Sequence, residues 1–449
     1  MDSKTRRTED QKLKQLVEAL TNKPELTQRL LSIVKLADEP TQTGQIRSAD
    51  EVESLLIHEV RKLGNETLAS WAQGVDLKLG KELKTQVERT QMREKKKLKW
   101  WSLFGSIEVK ESLWRNPSAS YIRPLPPAIG VSSRSCSMPL QRAVCDFGME
   151  GSFEQAGKRM KEHYGFSLPV SAVASVTRKH ARAIAAKQEV REGAHILPGK
   201  GAATVVAEAD GSFLRIVSTD DSKTDRRKTR EVQYREVRLC AACAKGSQSI
   251  YYDASFSDVR NIAGLWSFTA KDAGMAMQSK VHIVADGADW IHAEGSSAFG
   301  HRGSFLIDRY HVLEYLHAAA SGCSITPQRW LNTQKKRLKN GHSKKVIAEL
   351  KKHIEPDASP DTESPVRRAW RYLNNRSDCL AYDEAIAQDL PMGSGLIESG
   401  NKHILQARLK IPGASWSLDT AENFSRTRAV RANGQWNSYW DDSLRKQAA

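Results

Sequence analysis

Apolar positions before residue 90 recur at helical spacing amid dense charge, as in Leu16, Ala19 and Leu20 or Leu55, Leu56, Val60 and Leu63. Such recurrence lays one apolar stripe along a polar helix, so residues 1–92 are expected to be helical, a platform or dimer-forming arm. The period then falls to two. GSIEVKESLW puts Ile107 and Val109 on one face of a strand, and residues 93–130 are read as a basic β segment ending in a proline-rich linker, Pro124–Pro127.

Helical spacing returns at 152–184. Ser152 and Gln155 stand at the separation of a capping box, and Phe153, Ala156, Met160 and Tyr164 share one stripe. Gly165 breaks the helix and Pro169 blocks its resumption. Ser171 then caps a second helix that turns Val173 and Val176 inward and Ser175, Arg178, Lys179 and Arg182 outward. Residues 131–195 are read as a helix-turn-helix DNA-binding domain whose second helix suits a major groove; a plain helical pair is the competing reading.

From residue 203 the texture becomes α/β. ATVVAEADG and SFLRIV read as paired strands and EVQYREVRLCAACA as a third, which the residues around SIYYDASF extend or follow. Val259, Ile262, Ala263, Trp266, Ala270, Ala273 and Met277 mark an amphipathic helix; strand VHIVAD, a short helix and strand SFLID complete the series. That order predicts an α/β catalytic core with the mixed five-stranded sheet of a ribonuclease-H-like fold. Residues 196–311 form its first part, 312–390 a charged helical insertion without strand pattern, and 391–449 its last part and a C-terminal tail.

Composition narrows the partners. Lys and Arg total 69 against 53 acids, leaving +16, which favours double-stranded DNA because each cation set on a phosphate releases condensed counterions. Arg93, Lys95, Lys96, Lys97 and Lys99 run into Trp100 and Trp101, a mixture suited to backbone contact and base stacking, or to a solvated helix end leading into core tryptophans. No run approaches the ~18 apolar residues of a spanning helix, and the start MDSKTRRTEDQ has no signal core, so a soluble cytoplasmic, nucleoid-associated protein without a membrane partner is expected. Six scattered cysteines make no disulfide framework, and Cys240 and Cys243 supply only half of a zinc site.

Three acids occupy telling places. Asp210 is read as ending the first strand, with Gly211 turning the chain out of the sheet, and Asp286 as ending a later strand before Gly287. Glu398 lies in the first turn of a helix, on the side shared with Asn401 and Lys402 and opposite Leu396, Ile404 and Leu405. A single Asp-Gly pair is more often a turn than a ligand. Two such pairs with a helix-borne glutamate suit two Mg²⁺ or Mn²⁺ ions, hard cations that prefer oxygen and act together in phosphodiester displacement. Asp289 and Glu208 are rival ligands.

Four segments, EADGSFLRI with the REV run after it, VHIVADGADWIH, FLIDRYHVLEYL and GSGLIESGNKHILQARLKIPGASWS, resemble the Kra-type bacterial insertion-sequence transposases, DDE enzymes related to the Mutator group. The resemblance covers residues from about 95 to 436. It implies that Asp210, Asp286 and Glu398 are the metal-binding catalytic triad and that 312–390 is the family's helical insertion. Asp308 and His311 match its D-x-x-H signature, which implies a catalytic role near the active site for His311, otherwise read as a satisfied histidine at a helix start. The chain departs from relatives in having NPSASYIRPLPP where they carry a cysteine-rich segment. A transposase of this kind would bind terminal inverted repeats and target DNA, hydrolyse one strand and transfer it. Lys402, Arg408 and Lys410 would contact phosphates, while Trp416 would stack on an unpaired base or lie in the core. A homo-oligomer is expected because two element ends must meet. A nuclease or resolvase on the same fold, and a catalytically silent DNA-binding protein, are the alternatives.

Overall fold

A computed structural model of the chain describes residues 3–86, 90–115, 120–192, 198–220 and 222–448. Its described residues fall into two compact units, one drawn from 1–148, 153–176 and 443–449, the other from 149–152 and 177–442. The boundary falls inside the helix Val170–Glu192, within the segment expected as one helix-turn-helix domain.

In the first unit the helices Ser3–Thr21, Pro24–Gln42 and Ala49–Gln86 precede an antiparallel sheet of β1 (Gln91–Ser102), β2 (Gly105–Arg115) and β3 (Tyr121–Ile122). The longest helix buries Ala72 against Leu98, Trp100, Ile107 and Val109. The basic cluster therefore lies on a strand, not a helix end. Its tryptophans are structural: Trp100 is buried, and Trp101 stacks on Phe166 with ring centres 5.5 Å apart. The Pro124–Pro127 stretch, expected as linker, holds a helical turn, Leu125–Ala128, with Leu125 buried. Helix Phe153–Tyr164 buries Ala156 and Met160 as its stripe predicts, and Gly165 ends it at φ +78°. A helix that the sequence pattern did not announce, Met138–Glu150, packs Leu140 and Val144 on it.

The second unit is built on a mixed five-stranded sheet of order β6-β5-β4-β7-β8: β4 (Thr204–Ser218), β5 (Glu231–Ala244), β6 (Tyr251–Ser255), β7 (Lys280–Ala285) and β8 (Gly303–Ile307). β4, β5 and β6 are antiparallel, whereas β7 and β8 run parallel to β4. The expected count of five holds, but not the partition. ATVVAEADG and SFLRIV are one unbroken strand, and the residues around SIYYDASF are a strand of their own. Gly211 makes no turn; it pairs with Arg238 in the ladder, and a Cβ there would strike the Glu236 carboxylate.

Alternation along β4 separates two faces. Val205, Ala207 and Ala209 pack on Ile262, Leu265 and Trp266 of the helix Ile262–Asp272, with Ile291 and Phe299 of the helix Asp289–Phe299 beyond. Glu208, Asp210 and Ser212 face the segment 395–410 instead. The helices Arg309–Cys323, Pro327–Lys339, Ser343–Lys351, Pro365–Asn374 and Tyr382–Ala387 make the insertion, helical as expected, around a core that includes Leu316, Leu331, Val346 and Leu373 and is shared with Leu306 and Ile307 of β8. Leu418–Ala432, read as part of a tail, is a helix whose buried face includes Ala421 and Phe424. No helix among the described residues is long and apolar enough to cross a membrane.

Candidate active site

Parallel register brings the acids to one sheet edge. Glu208 lies opposite Val284 and Ala285 opposite Ile307. Continuing each ladder places Asp210, Asp286 and Asp308 in one row on three adjacent strands, spaced ~4.8 Å from strand to strand. Asp210 is thus a mid-strand residue. It reaches the site because β7 and β8 stop short of it, not because β4 ends there.

Burial raises the Asp210 pKa and the charge of Asp286 raises it further, while Asn401, the Gly211 N–H and His311 act against them. Asn401 Nδ2 donates to Asp210 Oδ2 at 2.6 Å, and Gly211 N donates to Oδ1 at 2.7 Å. Two residues on, Lys410 Nζ donates to Ser212 Oγ at 2.7 Å. Two residues back, the buried Glu208 accepts from Ile397 N at 2.8 Å, and from Leu396 N, at the start of the helix Gly395–Gly400. Burial is the main cause that pushes the Glu208 pKa up to about 8, and the charges of Asp308 and Glu398 add to it. Glu208, one of the two rival ligands, is therefore a clamp between strand and helix. Glu398 is exposed on that helix.

The turn after β7 is held by the insertion. Gly287 has φ +84°, Tyr372 donates its hydroxyl to Asp286 O, and Arg376 Nε donates to Gly287 O at 2.6 Å. Arg376 also pairs at 3.0 Å with the second rival ligand, Asp289, whose side chain is fully exposed. Asp286 Oδ1 accepts from Ala288 N at 2.9 Å. Nothing in RAWRYLNNR distinguishes Tyr372 and Arg376 from surface helix residues, and sequence reasoning missed both.

Asp308 is buried and fully engaged. One carboxylate oxygen caps the helix Arg309–Cys323 by accepting from Tyr310 N at 2.6 Å; the other accepts from Ser394 N at 2.7 Å and from the Ser394 hydroxyl. It ties the end of β8 to the loop that leads into the Glu398 helix. His311, one turn along, carries Nδ1 3.4 Å from Glu314 and acts electrostatically on Asp210. The two halves of the D-x-x-H signature therefore differ in role: the acid fastens the loop and the histidine adjoins the carboxylates.

Among the residues expected at DNA, Arg178, Lys179 and Arg182 are exposed along one side of the helix Val170–Glu192, and Lys402 and Lys410 are exposed near Glu398 and Asp210. One expectation fails, at Arg408, and of the two readings of Trp416 the core one holds. Arg408 is buried, with its guanidinium 4.7 Å from the Trp416 ring centre and 5.6 Å from that of Phe424, and burial lowers its pKa to about 10. Trp416 is a core residue whose Nε1 donates to Leu409 O at 3.0 Å. Arg408 falls one helical turn past the buried Ile404 and Leu405, and Trp416, beyond the end of that helix, is held on β4 by its backbone N–H donating to Arg215 O at 3.3 Å and its carbonyl accepting from Val217 N at 2.7 Å. Between Glu398 and Arg408 the chain is π-helical over Asn401–Gln406. Arg428 Nε donates to Ile404 O at 2.9 Å and its NH2 group to His403 O, satisfying carbonyls inside that segment.

Among the described residues no three His, Cys, Asp or Glu side chains converge as a ligand set. Cys240 and Cys243, three apart on a strand, lie on opposite faces, with Cys240 in the apolar core. Mg²⁺ does not require a closed protein cage; it usually takes one or two carboxylates and completes its shell with water and phosphate. The facing Asp210 and Asp286 fit that demand. Beside Asp210, Asn401 Oδ1 is buried without a hydrogen-bond partner, a hard oxygen left unsatisfied.

A family model described as "Uncharacterised protein family (UPF0236)" matches residues 43–441, and the chain belongs to that family. No curated protein matches the chain. The family description names no activity, so the likeness to Kra-type transposases rests on the four sequence segments alone.

Proposed function

We propose that this member of UPF0236 is a DNA strand-cleaving and strand-joining enzyme, an insertion-sequence transposase of the DDE type on a ribonuclease-H-like core. The observation that carries the reading is the facing of Asp210 and Asp286 on adjacent parallel strands, with Glu398 on a helix clamped to the same strand by Glu208. The strand order and the switch from antiparallel to parallel pairing at β4 are those that such a core requires.

Asp210, Asp286 and Glu398 are the residues that would hold Mg²⁺ or Mn²⁺, as a pair of ions. When bound, such ions activate the attacking oxygen and stabilise the leaving oxygen of an in-line displacement. The chain's own groups do the remaining work. Asn401 orients Asp210, and Glu208 fixes the first turn of the Glu398 helix. His311, with Nδ1 toward Glu314, keeps Nε2 to take a proton from the attacking hydroxyl or to return one to the leaving oxygen. Lys402 and Lys410 position phosphates, and Arg178, Lys179 and Arg182 hold the terminal repeats in a major groove.

The test uses purified protein, a divalent metal, precut donor ends taken from the DNA flanking the gene, and a target plasmid. Joined donor–target product is the expected result. Cleavage without joining reassigns the chain to the nucleases or resolvases, and binding without metal-dependent cleavage leaves a DNA-binding protein.

A further inference from the structure

Within the insertion lies a cavity of about 330 Å³ that the carboxylate chemistry does not use. Its rim carries three cations, Arg309, Lys335 and Lys339, none of which forms an ion pair with a carboxylate among the described residues. Its floor is apolar and partly aromatic, made by Leu338, Ile386 and the ring of Tyr382. Tyr382 is fixed by donating its hydroxyl to Ile307 O at 2.9 Å, so the ring is a rigid wall. Ile386, 39% exposed, leaves apolar surface uncovered where the three cations gather.

Unpaired cations above an apolar floor suit a ligand with an anionic group and a flat apolar body. The volume lies near the lower end of the ~300–1,000 Å³ typical of small-molecule sites, enough for one base with its phosphate and too small for a duplex. The position selects the source. Arg309 follows Asp308 directly, two residues before His311, and its N–H donates to Met392 O at 2.8 Å, in the loop that Asp308 holds and that leads to Glu398. Because Arg309 adjoins Asp308 in the chain, a DNA strand held at the carboxylates would lie next to this rim.

We propose that the cavity binds a single unpaired nucleotide of the DNA strand, its base against Leu338, Ile386 and Tyr382 and its phosphate against Arg309, Lys335 and Lys339. The inference rests on the reading of the chain as a DNA-processing enzyme, and it adds a subsite at which the DNA is locally unpaired. Base contact of this kind is sequence-tolerant, because every base has an apolar face.

The experiment measures binding of full-length protein, in chelator and at fixed salt, to a paired duplex and to the same duplex with one extrahelical nucleotide, with free AMP as competitor. The extrahelical duplex is expected to bind about tenfold tighter, within the range for stacking one base. Lys335→Glu combined with Lys339→Glu, and separately Ile386→Trp, which fills the cavity from its exposed side, are each expected to bring the ratio of affinities to one. A ratio of one in the unmodified protein that still binds paired duplex overturns the pocket and leaves the DNA reading standing. Failure to bind either duplex overturns both. Displacement by AMP without preference for the extrahelical duplex overturns the strand as source and assigns the cavity to a free nucleotide.

Discussion

Along β4 the odd-numbered Val205, Ala207 and Ala209 pack small apolar side chains on Trp266, Leu265 and Ile262, whereas the even-numbered Glu208, Asp210 and Ser212 set polar groups against the 395–410 segment. The odd face is stabilised by apolar area removed from water, which needs no directional partner. Every buried polar atom on the even face instead needs a partner at a fixed place, or it costs stability. Asn401 Oδ1 has none, and burial with Asp286 disfavours the charge on Asp210. The scaffold face therefore carries stability and the polar face holds strain at the chemistry, so substitutions on the two faces should separate folding from activity.

The largest effect is expected from Asp210→Ala. Strand cleavage should fall about 10³-fold or more, the scale of losing several kcal/mol of charge stabilisation, while end binding persists in a mobility-shift assay. The midpoint of thermal unfolding should stay level or rise, because the substitution removes a carboxylate that its surroundings disfavour. A protein destabilised as a core variant is would erase the distinction between the faces. Trp266→Ala tests the other side. Trp266 is fully buried, with its ring centre 5.4 Å from that of Phe299. Its truncation should cost about 3–5 kcal/mol in urea unfolding, with turnover per folded molecule retained.

Glu208 sharpens the comparison through pH. Its pKa rises from the ordinary 4.5 to about 8 in the folded chain. Between those values the folded state binds more protons than the unfolded one, so this residue's contribution is complete below about pH 4.5 and is lost as pH climbs through 8. Urea midpoints across that window should decline for the parent chain more steeply than for Glu208→Gln, which keeps an oxygen for the Ile397 and Leu396 N–H groups and cannot ionise. Equal slopes for the two proteins would show that Glu208 is charged throughout and that the clamp is an ion–dipole contact.

Legibility followed the same division. Period-two runs such as VHIVAD and SFLID, and the helix marked by Ile262 and Trp266, announce themselves, because burial on one face needs only apolar residues in phase. Asp286 was also readable, since its strand does end before Gly287. Asp210 was misplaced because a glycine inside a strand looks like a turn. Only the pairing of Gly211 with Arg238 shows that the ladder continues. Tyr372 and Arg376 could not be found from sequence, since what they hold is backbone carbonyl, which leaves no mark on the sequence around Asp286. Arg408 was misread because its charge was weighed above its phase, one helical turn past Ile404 and Leu405, and Trp416 is set by a backbone bridge to β4 that only the pairing reveals.

The burial of Arg408 yields the smallest and most specific expectation. Arg408 and Lys410 are two residues apart and both basic, yet one is buried over Trp416 and the other is exposed with Nζ on Ser212. Lys410→Ala should lower DNA affinity and reduce the slope of log affinity against log salt by about one, leaving the unfolding midpoint unchanged. Arg408→Ala should do the reverse, lowering the midpoint through lost packing on Trp416 and Phe424 while the salt slope stays the same. If Arg408→Ala flattened the salt slope and left stability alone, the guanidinium would leave Trp416 and lie on phosphate in the functional state.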